Sequence, residues 1–338
     1  MDKPLLTVLM PVYNAERFLY EAIESVLNQT FRNFEFLIID DGSTDESETI
    51  VCSFSDPRIR FYRNDGNRGI TETLNRGIEL AKAEYIARMD ADDICYAERL
   101  EKQYAFINSH PDGALFSCWA KEVTEDRQPI GTSHFPPNHY YYNLTFSCWI
   151  YHPTMVYRRD AVKSIGNYTI PYSEDYELAW QLSRKYKMYH LPEVLLEYRV
   201  NTQSLWQVTK KQEYRETFFK QVRRNILYYM DDSSISLEEW HLVCLSNYDS
   251  AVADVSMDKL LSCITLLDAV SERILIKENP NRDTESIKAA ARNKREDMIL
   301  LFSSKLNYYE RLKLITSIRG CNVLYKLILR WLVKLNII

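Results

Sequence analysis

The chain has no CxxC pair, and its seven cysteines (Cys52, Cys95, Cys118, Cys148, Cys244, Cys263 and Cys321) are an odd number. That usage argues against a disulfide frame or a zinc site and fits a reducing cytosol. The Asn-x-Thr triplets at Asn143 and Asn167 then read as chance. The opening stretch "MDKPLLTVLMPVYN" lacks a long apolar run and passes straight into a strand pattern, so no secretory signal is expected. Excess positive charge is missing too. Lys and Arg total 42 against 47 Asp and Glu, a net charge of −5, which argues against a general nucleic-acid binder. Neither G-x-x-x-x-G-K-[ST] nor G-x-G-x-x-G occurs, so this is no P-loop and no ordinary dinucleotide fold. Internal repeats and low-complexity tracts are also absent.

What remains is globular material. A hydrophobic content of 46% over 338 residues supports a buried core, in one large domain or in one of about 200 residues with an appendage. The first 90 residues alternate strand runs, "LLTVLMPV" (5–12), "FEFLIID" (34–40), "RIRFY" (58–62) and "EYIARMD" (84–90), with helical patterns near 15–28, 45–54 and 70–82. Phe18, Ala22, Ile23, Val26 and Leu27 form an apolar stripe at helical spacing. Asn14 is placed to cap that helix, and Ser43 with Glu46 to box the next. Such alternation predicts an α/β fold, a mostly parallel sheet flanked by helices, with ligands beyond the carboxyl ends of the strands. "PVYN", "DDGS" and "MDADD" all fall at such ends and should converge. From about 114 to 200 the pattern is mixed, and from 204 onward it is almost wholly helical, with a helix start at Ser236 and Glu239 and further helices near 256–278, 285–305 and 307–319.

Three carboxylates packed at a strand end, Asp90, Asp92 and Asp93, repel one another and call for a cation. Read singly, "DDGSTDES" is a turn, and "MDADD" is a solvated acidic loop or a calcium-binding turn. Read together, they offer more. Asp41 can accept the imide N–H of a pyrimidine, Asp90 can hold a ribose hydroxyl, and Asp92 can bind a divalent cation that bridges two phosphates. Magnesium and manganese take oxygen ligands and often only one or two carboxylates.

The blocks "TVLMPVYNAERFLYEAIESVLNQTFRNFEFLIIDDGSTDES", "NRGITETLNRGIELAKAEYIARMDADD" and "SEDYELAWQL", in that order, resemble the family 2 glycosyltransferases of the GT-A fold, over about residues 5–200. The resemblance implies inverting transfer of a sugar from a nucleotide donor, usually a UDP-sugar, with a manganese or magnesium ion. It places Pro11, Val12, Tyr13, Asp41, Asn67, Arg68 and Asp90 on the donor and Asp92 on the metal. Asp175 matches the catalytic base, with Glu174, Trp180 and His152 on the acceptor side. Bland readings stand beside these. Asp175 is also a carboxylate at a helix N-terminus facing the helix dipole, and His152 is also a structural histidine before a proline. "YYY" at 140–142 is either a sugar platform or partly buried packing, the latter preferred.

Two departures matter. Where family members often carry a histidine two residues after the arginine of a YR-x-H segment, "EYRVN" has Asn201. No Q-x-x-R-W motif and no multi-span region is present, which favours single addition over processive synthesis. The organisation expected is a catalytic domain over 1–203 (nucleotide-sugar half 1–95, acceptor half 96–203) and a helical region over 204–338. Its last segment, 321–338, carries Lys326, Arg330 and Lys334 on one stripe of an otherwise apolar helix. The fifteen residues of "LYKLILRWLVKLNII" span roughly 22 Å, short of a bilayer core of about 30 Å. They read as an interfacial helix on a membrane surface, or as one docked on the protein or a dimer partner. The expectation is a cytoplasmic enzyme, peripheral on the inner face of the membrane, acting on a glycan or lipid-linked glycan in surface polysaccharide assembly. The alternatives are a non-catalytic nucleotide-sugar-binding scaffold and a nucleotidyltransferase. Asp41, Asp90, Asp92 and Asp175 standing together argue against the first. The missing Gly-rich basic loop after the first strand argues against the second.

Overall fold

The computed structural model describes residues 3–201, 211–230, 236–247 and 256–317. The segment 321–338, the start of the helix expected from 204 and the membrane or dimer contact read there lie outside the described residues. The chain divides into two compact units. One holds Met1–Leu144, Cys148–Phe218 and Asn279–Asn281; the other holds Thr145–Ser147, Phe219–Glu278 and Arg282–Ile338.

In the first unit the chain runs β1 (Leu6–Val12), α1 (Leu19–Leu27), β2 (Phe34–Asp40), α2 (Ser47–Cys52), β3 (Ile59–Arg63), α3 (Ile70–Leu80) and β4 (Tyr85–Arg88). Then follow β5 (Ile94–Cys95), α4 (Arg99–Ser109), β6 (Gly113–Val123), β7 (Pro129–Thr132), α5 (Tyr140–Asn143), β8 (Val156–Arg158), α6 (Arg159–Ser164), α7 (Glu174–Lys185) and β9 (Lys187–Arg199). The strand order is β3-β2-β1-β4-β8-β6-β9-β5, with β7 paired to β6. β3, β2, β1 and β4 are mutually parallel, as alternating strands and helices require. Parallel pairing then stops: β8 runs antiparallel to both β4 and β6, although β6 and β9 are again parallel.

Every residue of β1 and β2 is buried, which explains their continuous apolar runs: both faces of the sheet are covered. Leu6, Val8 and Met10 join Leu19, Ala22, Ile23 and Val26 of α1 in one core. On the other face Leu9 meets α3, where a Cβ at Gly77 would sit 2.4 Å from Leu9 Cδ1. That position therefore admits glycine alone unless Leu9 moves.

Two of the expected caps do not form. Asn14 adopts φ 48°, and its Oδ1 accepts the Thr44 N–H at 2.9 Å instead of capping α1. Asparagine tolerates that left-handed geometry, so it serves the turn. Ser43 likewise bonds to Asp40 rather than boxing α2, and its Oγ accepts the Asn14 N–H at 3.0 Å. The α2 helix starts later, at Ser47, whose N–H is taken by Asp45. Both displaced side chains now tie the end of β1 to the end of β2.

The second unit is helical. It comprises α8 (Lys211–Tyr229) from Phe219 on, α9 (Glu239–Ser246), α10 (Met257–Ile276), α11 (Thr284–Ser303) and α12 (Tyr308–Ser317). Here α10 packs on α9 and α11, burying Leu260, Cys263, Leu267 and Ile274. The box that starts α9 is Glu238 with His241, while Ser236 donates to Glu238 from outside it. Among the described residues no helix is long and apolar enough to cross a membrane.

Candidate active site

The carboxyl ends of β1, β2 and β4 lie side by side because the strands are in register, Val12 opposite Asp40 and Leu9 opposite Arg88. Pro11 and Val12 are buried and Tyr13 emerges 43% exposed at the end of β1. The Asp41 N–H donates to Val12 O at 2.7 Å. The Asp41 carboxylate is itself 4% exposed and firmly held. Oδ1 accepts from Asn64 Nδ2 at 2.6 Å and from the Arg68 N–H at 3.0 Å, and Oδ2 accepts from the Gly69 N–H at 2.9 Å. A carboxylate has roughly four acceptor sites, so one remains, on Oδ2. Asn64 is fixed in turn by Thr73 Oγ1 at 3.0 Å. Asn67 and Arg68 lie on the exposed turn that follows. Beside it a cleft of about 320 Å³ is lined by Gly42–Thr44 and Arg63–Gly66.

The acidic cluster answers its own charge in part. Arg88, 2% exposed, donates Nη2 to Asp90 Oδ1 at 2.5 Å and Nη1 to Met89 O. The cation demanded by three neighbouring carboxylates is thus partly inside the chain, a residue that sequence reasoning missed. Asp93 turns inward. Its Oδ1 accepts the Arg199 N–H at 2.8 Å, and burial together with the charges of Asp92 and Asp90 pushes its carboxyl well above the usual range. Asp93 holds β9 in place and is no metal ligand of an open site. Asp92 stays half-buried, its carboxyl pushed up to about 6 by burial and by Asp90, against a hydrogen bond from the Asn201 side chain that pulls it down. Asn201 therefore sits at the acidic cluster, where the family's histidine was expected.

Opposite stands the start of α7. Burial, then the neighbouring Asp175, pushes the Glu174 carboxyl up to about 8. Burial also pushes Asp175 up to about 6, resisted by its backbone hydrogen bond with Tyr176. The charge of Asp90 acts on both. His152, 8% exposed, lies 3.8 Å from Glu174 Oε1, and its Nε2 meets Tyr168 Oη at 2.8 Å. Burial and Arg88 push that imidazole well below its usual range. The His152–Glu174 contact is consequently between two neutral groups rather than an ion pair. Trp180 is apart from these. It is 3% exposed beneath the Arg184 guanidinium at 3.9 Å, and five residues along a helix turn it roughly 140° from Asp175. The triple tyrosine is buried packing, with Tyr142 fully enclosed.

The acidic strand ends and the Glu174–Asp175 pair thus share one electrostatic field. Comparison with known proteins gives the family. The profile of the family described as Glycosyl transferase family 2 matches residues 7–166. An uncharacterized glycosyltransferase of Haemophilus influenzae is 31% identical over 72% of this chain and 79% of its own. UDP-Glc:alpha-D-GlcNAc-diphosphoundecaprenol beta-1,3-glucosyltransferase WfgD of Escherichia coli is 32% identical over 53% of this chain and 69% of its own. Among solved structures, S. aureus TarS 1-349 in complex with UDP-GlcNAc superposes with a TM-score of 0.57 at 18% identity, covering 90% of this chain and 93% of that one. At that identity the likeness speaks for the fold. The chain belongs to glycosyltransferase family 2, with the GT-A fold.

Proposed function

We propose that the protein is a single-addition, inverting glycosyltransferase that moves a sugar from a UDP-sugar to a lipid-linked glycan in surface polysaccharide synthesis. The observation that carries this is the set of carboxylates at the strand ends, Asp41 held by the 64–69 turn and Asp90 pinned by Arg88. The charge of Asp90 reaches Glu174 and Asp175, which supports one reaction centre for donor and acceptor. Asp41, through the free acceptor site of Oδ2, takes the uracil N–H, with Pro11, Val12, Tyr13, Asn67 and Arg68 around the nucleoside. Asp90, pinned by Arg88, takes the ribose. An acceptor hydroxyl attacks the anomeric carbon, its proton passes to Asp175, and the bond from that carbon to the diphosphate oxygen breaks. One carboxylate suffices, unlike the pair in glycoside hydrolysis. The E. coli relative's lipid-linked GlcNAc acceptor supports the acceptor class.

The residues fit a divalent cation. Among the described residues no group of three or more His, Cys, Asp or Glu side chains is placed to hold one. A hard oxygen donor, Asp92, nonetheless stands half-exposed beside Asp90, whose charge Arg88 answers only in part, and phosphate oxygens complete such sites. Manganese or magnesium bound there supplies positive charge against the diphosphate. A panel of nucleotide sugars with manganese tests the reading: UDP should be released from one UDP-sugar, and release should quicken with a GlcNAc-diphosphate-lipid acceptor. Binding of a nucleotide sugar with no release of UDP would favour the scaffold reading, and failure of every nucleotide sugar to bind would point to another ligand altogether.

The donor cleft makes a further prediction. Gly42 has φ +76°, and a Cβ there would lie 2.6 Å from the Gly66 carbonyl carbon and 2.7 Å from Gly66 Cα. Those are backbone atoms, so the 64–68 turn that carries Asp41's partners must move. Gly42→Ala should weaken UDP binding at least ~10-fold, the strain of about 1–2 kcal/mol for a left-handed residue adding a lower thermal midpoint. Calorimetric titration with UDP checks this. Unchanged affinity would remove the cleft from the donor site.

A further inference from the structure

Resting on the transferase reading, one feature of the first unit has no role in donor binding or in the transfer step: an aromatic assembly drawn from β6, the chain after β7, and the strip at 148–152. Its inner part is rigid. His190, 7% exposed, is held by Ser117 Oγ at 2.7 Å on Nδ1 and by Tyr140 Oη at 3.1 Å on Nε2. Tyr140 stacks on it with centroids 4.1 Å apart. Burial pushes His190 down to about 3, so the imidazole is a neutral packing element. The outer part is open. Trp149 stands edge-on to Tyr140 and stacks on Phe135 at 4.2 Å and 19°. Trp119 fixes the Phe135 carbonyl through its indole N–H at 3.0 Å. Trp119, Phe135 and Trp149 are all half-buried. Part of each ring reaches solvent although the frame behind it is fixed.

Polar groups edge this surface. Tyr151 Oη donates to Glu122 Oε1 and is 2.9 Å from Ser133 Oγ. All three residues are half-buried. Rigid aromatic faces beside a few placed hydroxyl and carboxylate groups are the chemistry that recognises a sugar ring, C–H face on the rings and hydroxyls on the polar edge. The position suits an acceptor. The Tyr151 ring lies 4.8 Å from Tyr198, whose hydroxyl feels Asp93, Asp90 and Asp92. Cys148, next to Trp149, feels Asp175, and His152, next to Tyr151, meets Glu174. The strip bearing Trp149 therefore passes both the base and the acidic cluster.

We infer that Trp119, Phe135 and Trp149, edged by Glu122, Ser133 and Tyr151, form the subsite for the saccharide part of the acceptor. The occupant is the sugar and not the lipid, because the surface is held by fixed packing and bordered by a carboxylate and hydroxyls, whereas a prenyl chain needs no hydroxyl partners.

Saturation-transfer NMR on the full chain with UDP present tests this, using methyl glycosides of glucose, galactose, mannose and N-acetylglucosamine at millimolar concentration. At least one glycoside should receive saturation. Trp149→Leu and Phe135→Leu, which keep apolar bulk but lose the ring face, should weaken its binding at least ~10-fold, a free-energy change typical of one lost aromatic contact. Glu122→Gln, which keeps shape, should weaken it several-fold. UDP titration of each variant is the control for folding, and Kd for UDP should match wild type. No glycoside binding to wild type, or binding untouched by all three variants, overturns the subsite. Saturation of geranyl diphosphate that the same variants abolish, with none for any glycoside, also overturns it in favour of lipid. Absence of UDP binding in wild type would strike the transferase reading instead, and the glycoside result would still decide the subsite.

Discussion

Asp175→Asn should lose turnover by about 10²–10⁴-fold, the usual worth of a general base, while its affinity for UDP stays within a few-fold of wild type. The substitution keeps volume and hydrogen bonding at the start of α7 and removes only proton acceptance. Its neighbour cannot substitute. Glu174 is pushed up to about 8 and holds its proton near neutrality, whereas Asp175, at about 6, has released its own. Two adjacent carboxyls driven apart in this way mark their roles. In wild type, kcat/KM should climb as pH rises through about 6 and level off above it, and the variant's residual rate should lack that limb. Stability carries the opposite sign. Asp175's folded pKa lies above its ordinary 3.8, so the favourable, protonated form is complete below the ordinary value and is lost as pH rises through about 6. Asparagine has no charge to bury. The variant should thus melt higher than wild type at pH 8, with the gap narrowing on acidification, as thermal denaturation across pH would show. Loss of UDP binding in Asp175→Asn would move Asp175 to the donor pocket.

The parallel half of the sheet and the convergence of its three strand ends, two of them acidic, could be read directly from the sequence, because strand–helix alternation and turn residues are local signals. The sequence pattern did not show where Asn14 and Ser43 would bond. Each looked like a cap by spacing, yet each found a partner about 30 residues away across the ends of β1 and β2, and capping rules see only neighbours. Arg88 was missed for a similar reason. An arginine in "EYIARMD" reads as the outward end of a strand, although its i,i+2 spacing to Asp90 puts both on one face, and that was the available clue. Asn64, which braces Asp41, carried no signal at all, since its partners lie just past the end of β2 and on α3. The grouping of Asn279–Asn281 with the first unit arises from long-range contacts, with the Asn281 side chain reaching Ser183 O and Tyr186 O. Trp180 is a further position that the motif alone does not place. Its place in the motif suggests the acceptor, and helix geometry puts it roughly 140° round α7 from Asp175, 3% exposed.

Asp92→Ala should abolish stimulation by manganese and cost at least ~100-fold in rate, the typical loss when one strong stabiliser of developing charge is removed. The argument begins from what already compensates the cluster. Arg88 pairs with Asp90 and answers part of its charge, and Asp93 is buried against the β9 backbone with its carboxyl pushed well above the usual range. Asp92 is held by the Asn201 side chain and a backbone hydrogen bond, and the Arg199 charge also favours its ionised form. Burial, and then the residual field of Asp90, still make its ionised form costly to the folded protein unless something positive arrives with the substrate. Removing it should therefore leave the thermal midpoint unchanged or raised, in contrast to the loss expected from any side chain that holds the fold. Asn201→Ala should act in the same direction on rate but more weakly, because it removes the orienting bond and keeps the carboxylate. The measurements are initial rates of UDP release against manganese concentration, and melting curves with UDP, with manganese and with both. Wild type should be stabilised by the pair more than by the sum of each alone, and Asp92→Ala should lose that surplus. Full wild-type activity in excess chelator, or an Asp92→Ala variant still stimulated by manganese, would place the donor's charge compensation on the chain's own arginines instead.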